Sequence, residues 1–189
     1  MILGWRLSSG LAKSSYSLAQ YLGIDPFYKR VMYVISYRRL EPQDPELVKR
    51  LMEEHALQFP AFIINLYPER WASYFNHSSN SEYWVAVERN QIVGHAGFMY
   101  NNDEKLYEIV GVVVSLRHLR KGIGKTLLDH VCEAIQEKGV TEVMLHTLGH
   151  PDNEDTLVFY KSIGYSVSKF EKDYFQAGYS RVTFRKSLN

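Results

Sequence analysis

One glycine-containing segment, Arg120-Lys121-Gly122-Ile123-Gly124-Lys125, constrains the fold more than any other part of the sequence. It lies between a strand-like run that ends at Val114 and an apolar helical stripe that begins at Leu127. Glycines at the start of a helix leave backbone N–H groups unpaired, and the helix dipole and nearby cations add positive potential. The segment therefore predicts a phosphate-binding turn. The alternative is a tight strand-to-helix turn with solvated basic side chains.

Two common nucleotide-binding patterns do not fit this segment. Gly124-Lys125-Thr126 matches the end of a P-loop, but Leu119 takes the place of the first glycine of that pattern. Gly122 and Gly124 begin a dinucleotide-binding pattern, but Leu127 stands where the third glycine belongs, and the preceding strands form a meander. We therefore expect neither a P-loop NTPase nor a dinucleotide-binding domain.

The remaining sequence predicts one α/β domain over residues 31–189 and a helical extension over residues 1–30. The elements of the domain follow the order β-α-α-β-β-β-α-β-α-β-β. The predicted strands are Val31–Leu40, Tyr83–Glu88, Ile92–Tyr100, Lys105–Val114, Val143–Leu148, Tyr165–Phe170 and Arg181–Leu188. The predicted helices are Asp44–Gln58, a broken helix within residues 60–80, Lys125–Lys138 and Asn153–Ile163.

Composition excludes several classes of protein. Twenty-two Lys and Arg against 21 Asp and Glu give a net charge of +1, so no whole-chain field attracts nucleic acid. No stretch approaches the roughly 18 apolar residues of a membrane span. The single cysteine, Cys132, fits a reducing compartment, which predicts a cytoplasmic protein. His146 and His150 fall on a strand and its following turn, with no third ligand, so no metal site is expected.

Two blocks of the sequence resemble the GNAT superfamily of N-acetyltransferases. The first consists of strand Glu108–Val114, the glycine segment and helix Lys125–Lys138, and it is similar to the acetyl-CoA signature of that family. The second, Asn153–Tyr165, is similar to the pattern N-x-x-A-x-x-x-Y-x-x-x-G-F and matches its Asn, Tyr and Gly in spacing. Leu119 departs from the usual Arg or Gln, and Thr156 departs from the usual small Ala. The resemblance covers the predicted domain and leaves the N-terminal extension outside.

The resemblance implies both a fold and a reaction. The fold is α/β (an α+β mixed sheet), with a mostly antiparallel sheet of six to seven strands, splayed middle strands and about four flanking helices. The reaction transfers an acetyl group from acetyl-CoA to a primary amine by direct attack in a ternary complex, without a metal. The acceptor is open among a peptide or protein N-terminus, a lysine side chain and a small amine, and a homodimer is also left open. The alternatives are a non-catalytic acyl-CoA sensor and a subunit that docks a partner through its N-terminal helix.

The resemblance also assigns roles to individual residues. Tyr160 matches the general acid that protonates the leaving thiolate, with a tyrosine packed in the core as the alternative. Glu108 lies fourteen residues before Gly122, as the catalytic glutamate does in the histone-acetyltransferase branch, with a solvated strand carboxylate as the alternative. Asn153 is expected to orient the cofactor or cap a helix. The expected cofactor-binding residues are Val112, Val113 and Val114 along the pantetheine arm, Arg120, Lys121, Gly122, Ile123, Gly124 and Lys125 around the diphosphate, and Asn153 and Tyr160.

Two further features follow from the same resemblance. Family members carry a bulge in the strand before the loop, so a backbone N–H near Val112–Val114 is expected to bind the thioester oxygen. They build the acceptor channel from the region after the first helix and from the last hairpin. In this sequence those regions contain Trp71–Phe75, Tyr174, Phe175 and Tyr179, for which core packing is the alternative.

Overall fold

A seven-stranded sheet forms the centre of the protein in a computed structural model that describes residues 34–76 and 79–188. The strands are β1 (Ser36–Arg39), β2 (Ser81–Glu88), β3 (Gln91–Asn101), β4 (Leu106–Val114), β5 (Glu142–Gly149), β6 (Ser166–Gln176) and β7 (Tyr179–Ser187). Their order in the sheet is β1-β2-β3-β4-β5-β7-β6. The predicted helical extension, residues 1–30, lies outside the described residues.

Helices cover both faces of the sheet. They are α1 (Pro45–Glu53), α2 (Ala61–Ile64), α3 (Tyr67–Phe75), α4 (Ile123–Gln136) and α5 (Glu154–Ser162), so the described part has four helices of nine or more residues and one single turn. None of these helices is long and apolar enough to cross a membrane. The described part of the chain thus has three layers, with the sheet in the middle.

Each face of the sheet has its own apolar core. Val48, Leu51 and Met52 of α1 recur at helical spacing and pack with α3 against β2 and β4. On the opposite face, the stripe of α4 packs against β2, β3 and β5 together with Tyr160 of α5. The buried residues of that stripe are Ile123, Leu127, Leu128, Val131, Cys132, Ala134 and Ile135.

The middle of the sheet opens between β4 and β5. All neighbouring strands are antiparallel except this pair, which is parallel and ends after three residue pairs at Ile109 and Leu145. Between β3 and β4 the register shifts, because two residues, Gly111 and Val112, face a single residue of β3. Gly111 has a φ of +66°, as expected for a glycine in a β-bulge. The predicted mostly antiparallel sheet with splayed middle strands is confirmed.

Several element boundaries differ from the sequence-based expectation. α1 ends at Glu53 instead of Gln58, because the chain continues in tight turns such as the bond from the His55 N–H to the Met52 carbonyl. β6 runs to Gln176 instead of Phe170, because pairing with β7 continues at Glu171 and, after a register shift, resumes at Gln176 opposite Tyr179. The predicted broken helix within residues 60–80 appears as α2 and α3.

Candidate active site

The loop before α4 presents a set of free backbone donors. Gly122 precedes the helix in a left-handed conformation with φ +80°, and the first helical bond runs from the Thr126 N–H to the Gly122 carbonyl at 3.0 Å. Within the described residues, the N–H groups of residues 120–125 donate to no protein acceptor. Because α4 is 14 residues long, its dipole adds positive potential at these donors. The loop therefore has the properties of an anion-binding site.

The charged side chains of the loop are already partly engaged. Arg120 lies 3.4 Å from Asp155 in an exposed ion pair, and Lys125 lies 2.7 Å from Asp129 one helical turn later. Exposed pairs of this kind are weak, so both side chains can still turn toward a phosphate. The main-chain groups are the fixed part of this site, and the cofactor contacts of the side chains stay a prediction.

The end of β4 leaves part of its backbone without a strand partner. The Ser115 N–H donates to the Val93 carbonyl at 2.9 Å, so alternation along the ladder pairs Val113 with β3 and turns Val114 away from it. On the side away from β3, pairing with β5 has already ended at Ile109. His55 lies on that open side, with its Nε2 2.9 Å from the Val114 carbonyl oxygen. Of the three valines, Val112 and Val114 are thus placed to pair with a ligand, whereas Val113 belongs to the sheet.

A cavity of about 490 Å³ fills the gap between the splayed strands. Tyr160 of α5 lines it, and the ring of this residue packs against Tyr165 and Phe184 with centroids 5.7 and 5.6 Å away. Within the described residues the Tyr160 hydroxyl has no hydrogen-bond partner, and burial raises its pKa above the ordinary tyrosine value. The ring of Tyr160 is therefore packed in the core, and the same residue also lines the cavity.

Glu108 lies on the same cavity wall and is half-buried. Its Oε2 accepts a hydrogen bond from Asn101 Nδ2 at 2.9 Å. His146 of β5 also lines the cavity, with Nδ1 2.9 Å from Thr183 Oγ1. Burial lowers the pKa of His146, and the charge of Glu108 acts in the opposite direction. The cavity thus holds two candidate proton acceptors, of which the sequence had indicated Glu108.

The buried side chain of Asn153 connects β5 with the segment after α1 through hydrogen bonds. Its Nδ2 donates to the Leu148 carbonyl at 2.6 Å, and its Oδ1 accepts from Gln58 Nε2 at 2.7 Å. The predicted helix cap is wrong, because this side chain turns back to β5 and makes no cap bond with α5. Gln58 Nε2 also lies 2.7 Å from Thr156 Oγ1, which gives the unusual threonine of the second block a partner.

A buried histidine beneath the bulge was not indicated by the sequence. His95 is fully buried, with Nδ1 2.7 Å from the Gly111 carbonyl oxygen and its ring stacked on Tyr83 at 5.7 Å. Burial lowers its pKa to about 4, so the ring is neutral near pH 7. Its Nε2 has no partner among the described residues. The neutral Nδ1–H thus donates to the bulge and holds its shape.

The aromatic residues predicted for the acceptor channel divide into two groups. Tyr174, Phe175 and Tyr179 line the cavity. Trp71 is buried, and it packs with Tyr74 and Phe75 in the core beneath α3. The described residues contain no group of three or more His, Cys, Asp or Glu side chains arranged to hold a metal, and His146 and His150 each bond to other protein groups.

This combination of loop, splayed strands and cavity corresponds to a known family. The sequence profile of the Acetyltransferase (GNAT) family matches residues 48–165, which is more than half of the chain. The chain belongs to this family. The glycine loop, the splayed strands and Tyr160 all lie within the matched GNAT region.

Individual GNAT proteins are distant in sequence. YsnE of Bacillus subtilis (strain 168), named an uncharacterized N-acetyltransferase, is 29% identical over 92 residues, which cover 49% of this chain and 60% of YsnE. The chain therefore spans less than two thirds of that relative. A protein of Desulfovibrio desulfuricans assigned to the GNAT family shares the fold, with a TM-score of 0.73 at 23% identity, over 82% of this chain and 100% of the other. A protein of Bacillus anthracis str. Ames assigned as a streptothricin acetyltransferase and solved with acetyl coenzyme A has a TM-score of 0.54 at 19% identity, over 60% and 65% of the two chains.

Proposed function

We propose that the protein transfers an acetyl group from acetyl-CoA to a primary amine. The observation that carries the proposal is that the free loop donors lie beside the end of β4 and beside α5, the helix that carries Tyr160. A side chain at Gly124 would lie 3.5 Å from both Val114 at the end of β4 and Phe159, the neighbour of Tyr160. A ligand held by the loop would therefore meet the open end of β4, and Val112 of the same strand lines the cavity together with Tyr160.

The binding residues suit the parts of such a cosubstrate. The free N–H groups of residues 120–125 match a diphosphate in charge and in hydrogen-bonding capacity. The open backbone of Val112 and the N–H of Val114, whose carbonyl oxygen contacts His55, match the amides of a pantetheine arm, which would lie along β4 like an added strand. Acetyl-CoA would supply the acetyl group as a reactive thioester. Its complex with the Bacillus anthracis protein of the same fold supports this choice of cosubstrate.

The cavity side chains can manage the protons of the reaction. Attack by the amine nitrogen forms a C–N bond while the C–S bond breaks, so the nitrogen must lose protons and the sulfur must gain one. Glu108 and His146 are placed to accept a proton, directly or through water. The Tyr160 hydroxyl donates to the sulfur, and its raised pKa keeps the phenol protonated until the thiolate develops. For an acceptor that begins as an ammonium ion, one proton goes to the thiol and one to solvent.

The acceptor class within this proposal is a peptide N-terminus, a lysine side chain or a small amine. An α-amine, with a pKa near 7.7–8.0, is partly neutral at pH 7, whereas a lysine amine near 10.4 depends more on a base such as Glu108. A cytoplasmic location is part of the proposal and rests on the single cysteine, Cys132, which is a buried free thiol. A homodimer stays a prediction from the sequence.

The test combines binding with turnover. Isothermal titration calorimetry of the full chain with coenzyme A should show saturable binding, and free-thiol release with DTNB should report turnover of acetyl-CoA across a panel of amines. Tyr160→Phe should lower kcat by about 10²-fold or more and leave coenzyme A binding intact, because the hydroxyl acts in the chemical step.

Tyr165→Phe is the matched control for this variant. Its hydroxyl contacts Cys132 Sγ at 3.6 Å in the core, away from the cavity, so its loss should leave kcat nearly unchanged. Equal kcat for wild type and Tyr160→Phe would refute the role of the phenol. Tight coenzyme A binding without thiol release from any amine would favour a non-catalytic sensor, and no binding at all would refute the cosubstrate.

A further inference from the structure

One cation on the cavity wall has no carboxylate partner. Arg70 of α3 is half-buried and lines the cavity, with its guanidinium carbon 5.1 Å from the centroid of the Tyr67 ring. No ion pair among the described residues uses Arg70. Arg181, the second arginine on this wall, already forms an ion pair, because its Nε lies 2.7 Å from Glu171. Its guanidinium also stacks on the Tyr174 ring, 3.6 Å from the centroid. The hydrogen-bond partner of Arg70 is the neutral phenol of Tyr67, so the positive charge of Arg70 is available to a ligand.

Glu108 supplies the opposite charge in the same cavity. Burial raises the pKa of Tyr67 and Tyr83, and Arg70 lowers and Glu108 raises the pKa of both phenols. Arg70 on α3 and Glu108 on β4 both line this cavity. They nevertheless form no ion pair, so the cavity presents a separated positive and negative group. This arrangement complements a ligand that carries both an amine and an acid.

The rim of the cavity is aromatic and solvent-exposed. Phe62 and Phe175 approach with ring centroids 6.2 Å apart, and Tyr174 lies 5.0 Å from Phe175. Their exposed fractions are 54% for Phe62, 51% for Tyr174 and 37% for Phe175. Exposed aromatic side chains that border a pocket are typical of sites that cover an apolar part of a ligand.

We propose that the acceptor is a small amino carboxylate with a large apolar side chain. The amine lies at Glu108, the carboxylate pairs with Arg70, and the apolar group rests on Phe62, Tyr174 and Phe175. This inference depends on the proposed acetyl transfer and narrows its acceptor. It separates a free amino acid from a protein N-terminus, because the latter has no carboxylate next to its amine.

The experiment compares three acceptors of similar size that differ in the group beside the amine. Phenylalanine carries a carboxylate, phenylalaninamide carries a neutral amide, and phenethylamine carries neither. DTNB assays with saturating acetyl-CoA give kcat/KM for each acceptor at several pH values, and each rate is compared at an equal concentration of neutral amine. The expected result is that phenylalanine exceeds both others by about tenfold to a hundredfold, as one charge-assisted pair allows.

Variants of Arg70 test whether its guanidinium causes the preference for phenylalanine. Arg70→Gln should reduce that advantage to a few-fold, mainly through KM for phenylalanine, while the rate with phenethylamine and the coenzyme A affinity by calorimetry stay unchanged. Arg50→Gln removes the same charge from an exposed position of α1 outside the cavity and should keep the wild-type preference.

Each other outcome is decisive. Equal or better turnover of phenylalaninamide or phenethylamine would overturn the amino carboxylate and leave acetyl transfer intact, with phenylalaninamide pointing to a peptide N-terminus. A wild-type preference retained in Arg70→Gln would overturn the role of Arg70. No thiol release with any of the three acceptors or with the wider amine panel, despite coenzyme A binding, would overturn acetyl transfer itself.

Discussion

Gly111 determines the shape of the bulge in β4, and its replacement tests how rigid that bulge is. Its φ is +66°, and a Cβ would lie 2.8 Å from His95 Cε1 and 3.0 Å from Tyr67 Cε1. Because both neighbours are buried rings, they cannot move aside cheaply. We expect Gly111→Ala to lower the free energy of unfolding by ~2–4 kcal/mol, measured by urea denaturation.

Gly139→Ala provides the matched control. Gly139 has a φ of +77°, but a Cβ there meets nothing within 4 Å. This variant carries the backbone strain without the steric overlap, so a loss of about 1–2 kcal/mol is expected. If both variants lose the same free energy of unfolding, the rings around Gly111 can move aside for a Cβ, and the predicted steric cost is wrong.

Single residues were predictable where a local pattern identified them. The glycine loop and Tyr160 belong to two spaced motifs: Tyr160 lines the cavity, and the loop lies beside Val114 and Phe159 at Gly124. Arg70 and His95 have no such motif: Arg70 matters because its helix faces the cavity, and His95 because it bonds to a carbonyl on another strand. The contact between His95 and Gly111 joins residues on different strands, and no period along the chain indicates it.

The elements on both sides of the cavity are joined by Gln58, which follows α1. Its amide reaches Asn153 and Thr156 at the start of α5, 2.7 Å from each. Gln58→Ala leaves the buried Oδ1 of Asn153 without this donor, so we expect a loss of about 1–3 kcal/mol in the free energy of unfolding. Thr156→Ala keeps the bond to Asn153 and should cost less than half as much. Equal losses in urea denaturation of the two variants would show that Asn153 does not depend on Gln58.

Element boundaries were least predictable where pairing partners decide them. Residues after Phe170 in β6 are polar or exposed on both faces, which gives no alternating pattern in the sequence. They form a strand because β7 pairs with Glu171 through Arg181 and, after a register shift, with Gln176 through Tyr179. α4 was more predictable, because its apolar stripe encodes the helix locally and Gly139 follows its end.

At the scale of the whole molecule, the parallel contact between β4 and β5 follows from chain order. A helix between two strands allows a parallel crossover, and α4 lies between these two. The early separation of the strands was expected from the family resemblance alone. In the structure it accompanies the bulge at Gly111 and the antiparallel pairing of β5 with β7, both of which are contacts between distant parts of the chain.

The stability of the whole molecule should depend on pH through His95. Burial lowers its folded pKa to about 4, against the opposing effects of the Gly111 hydrogen bond and the Asp44 charge, whereas the unfolded value is near 6.5. The unfolded chain therefore binds the extra proton first, so this contribution is complete above pH 6.5 and is lost as the pH falls toward 4. The expected loss is about 3 kcal/mol in urea denaturation across that range. His95→Gln can still donate a hydrogen bond to Gly111 but does not titrate. Its free energy of unfolding should therefore change less with pH than that of wild type, by this amount. Parallel pH profiles for the two proteins would refute a buried neutral imidazole.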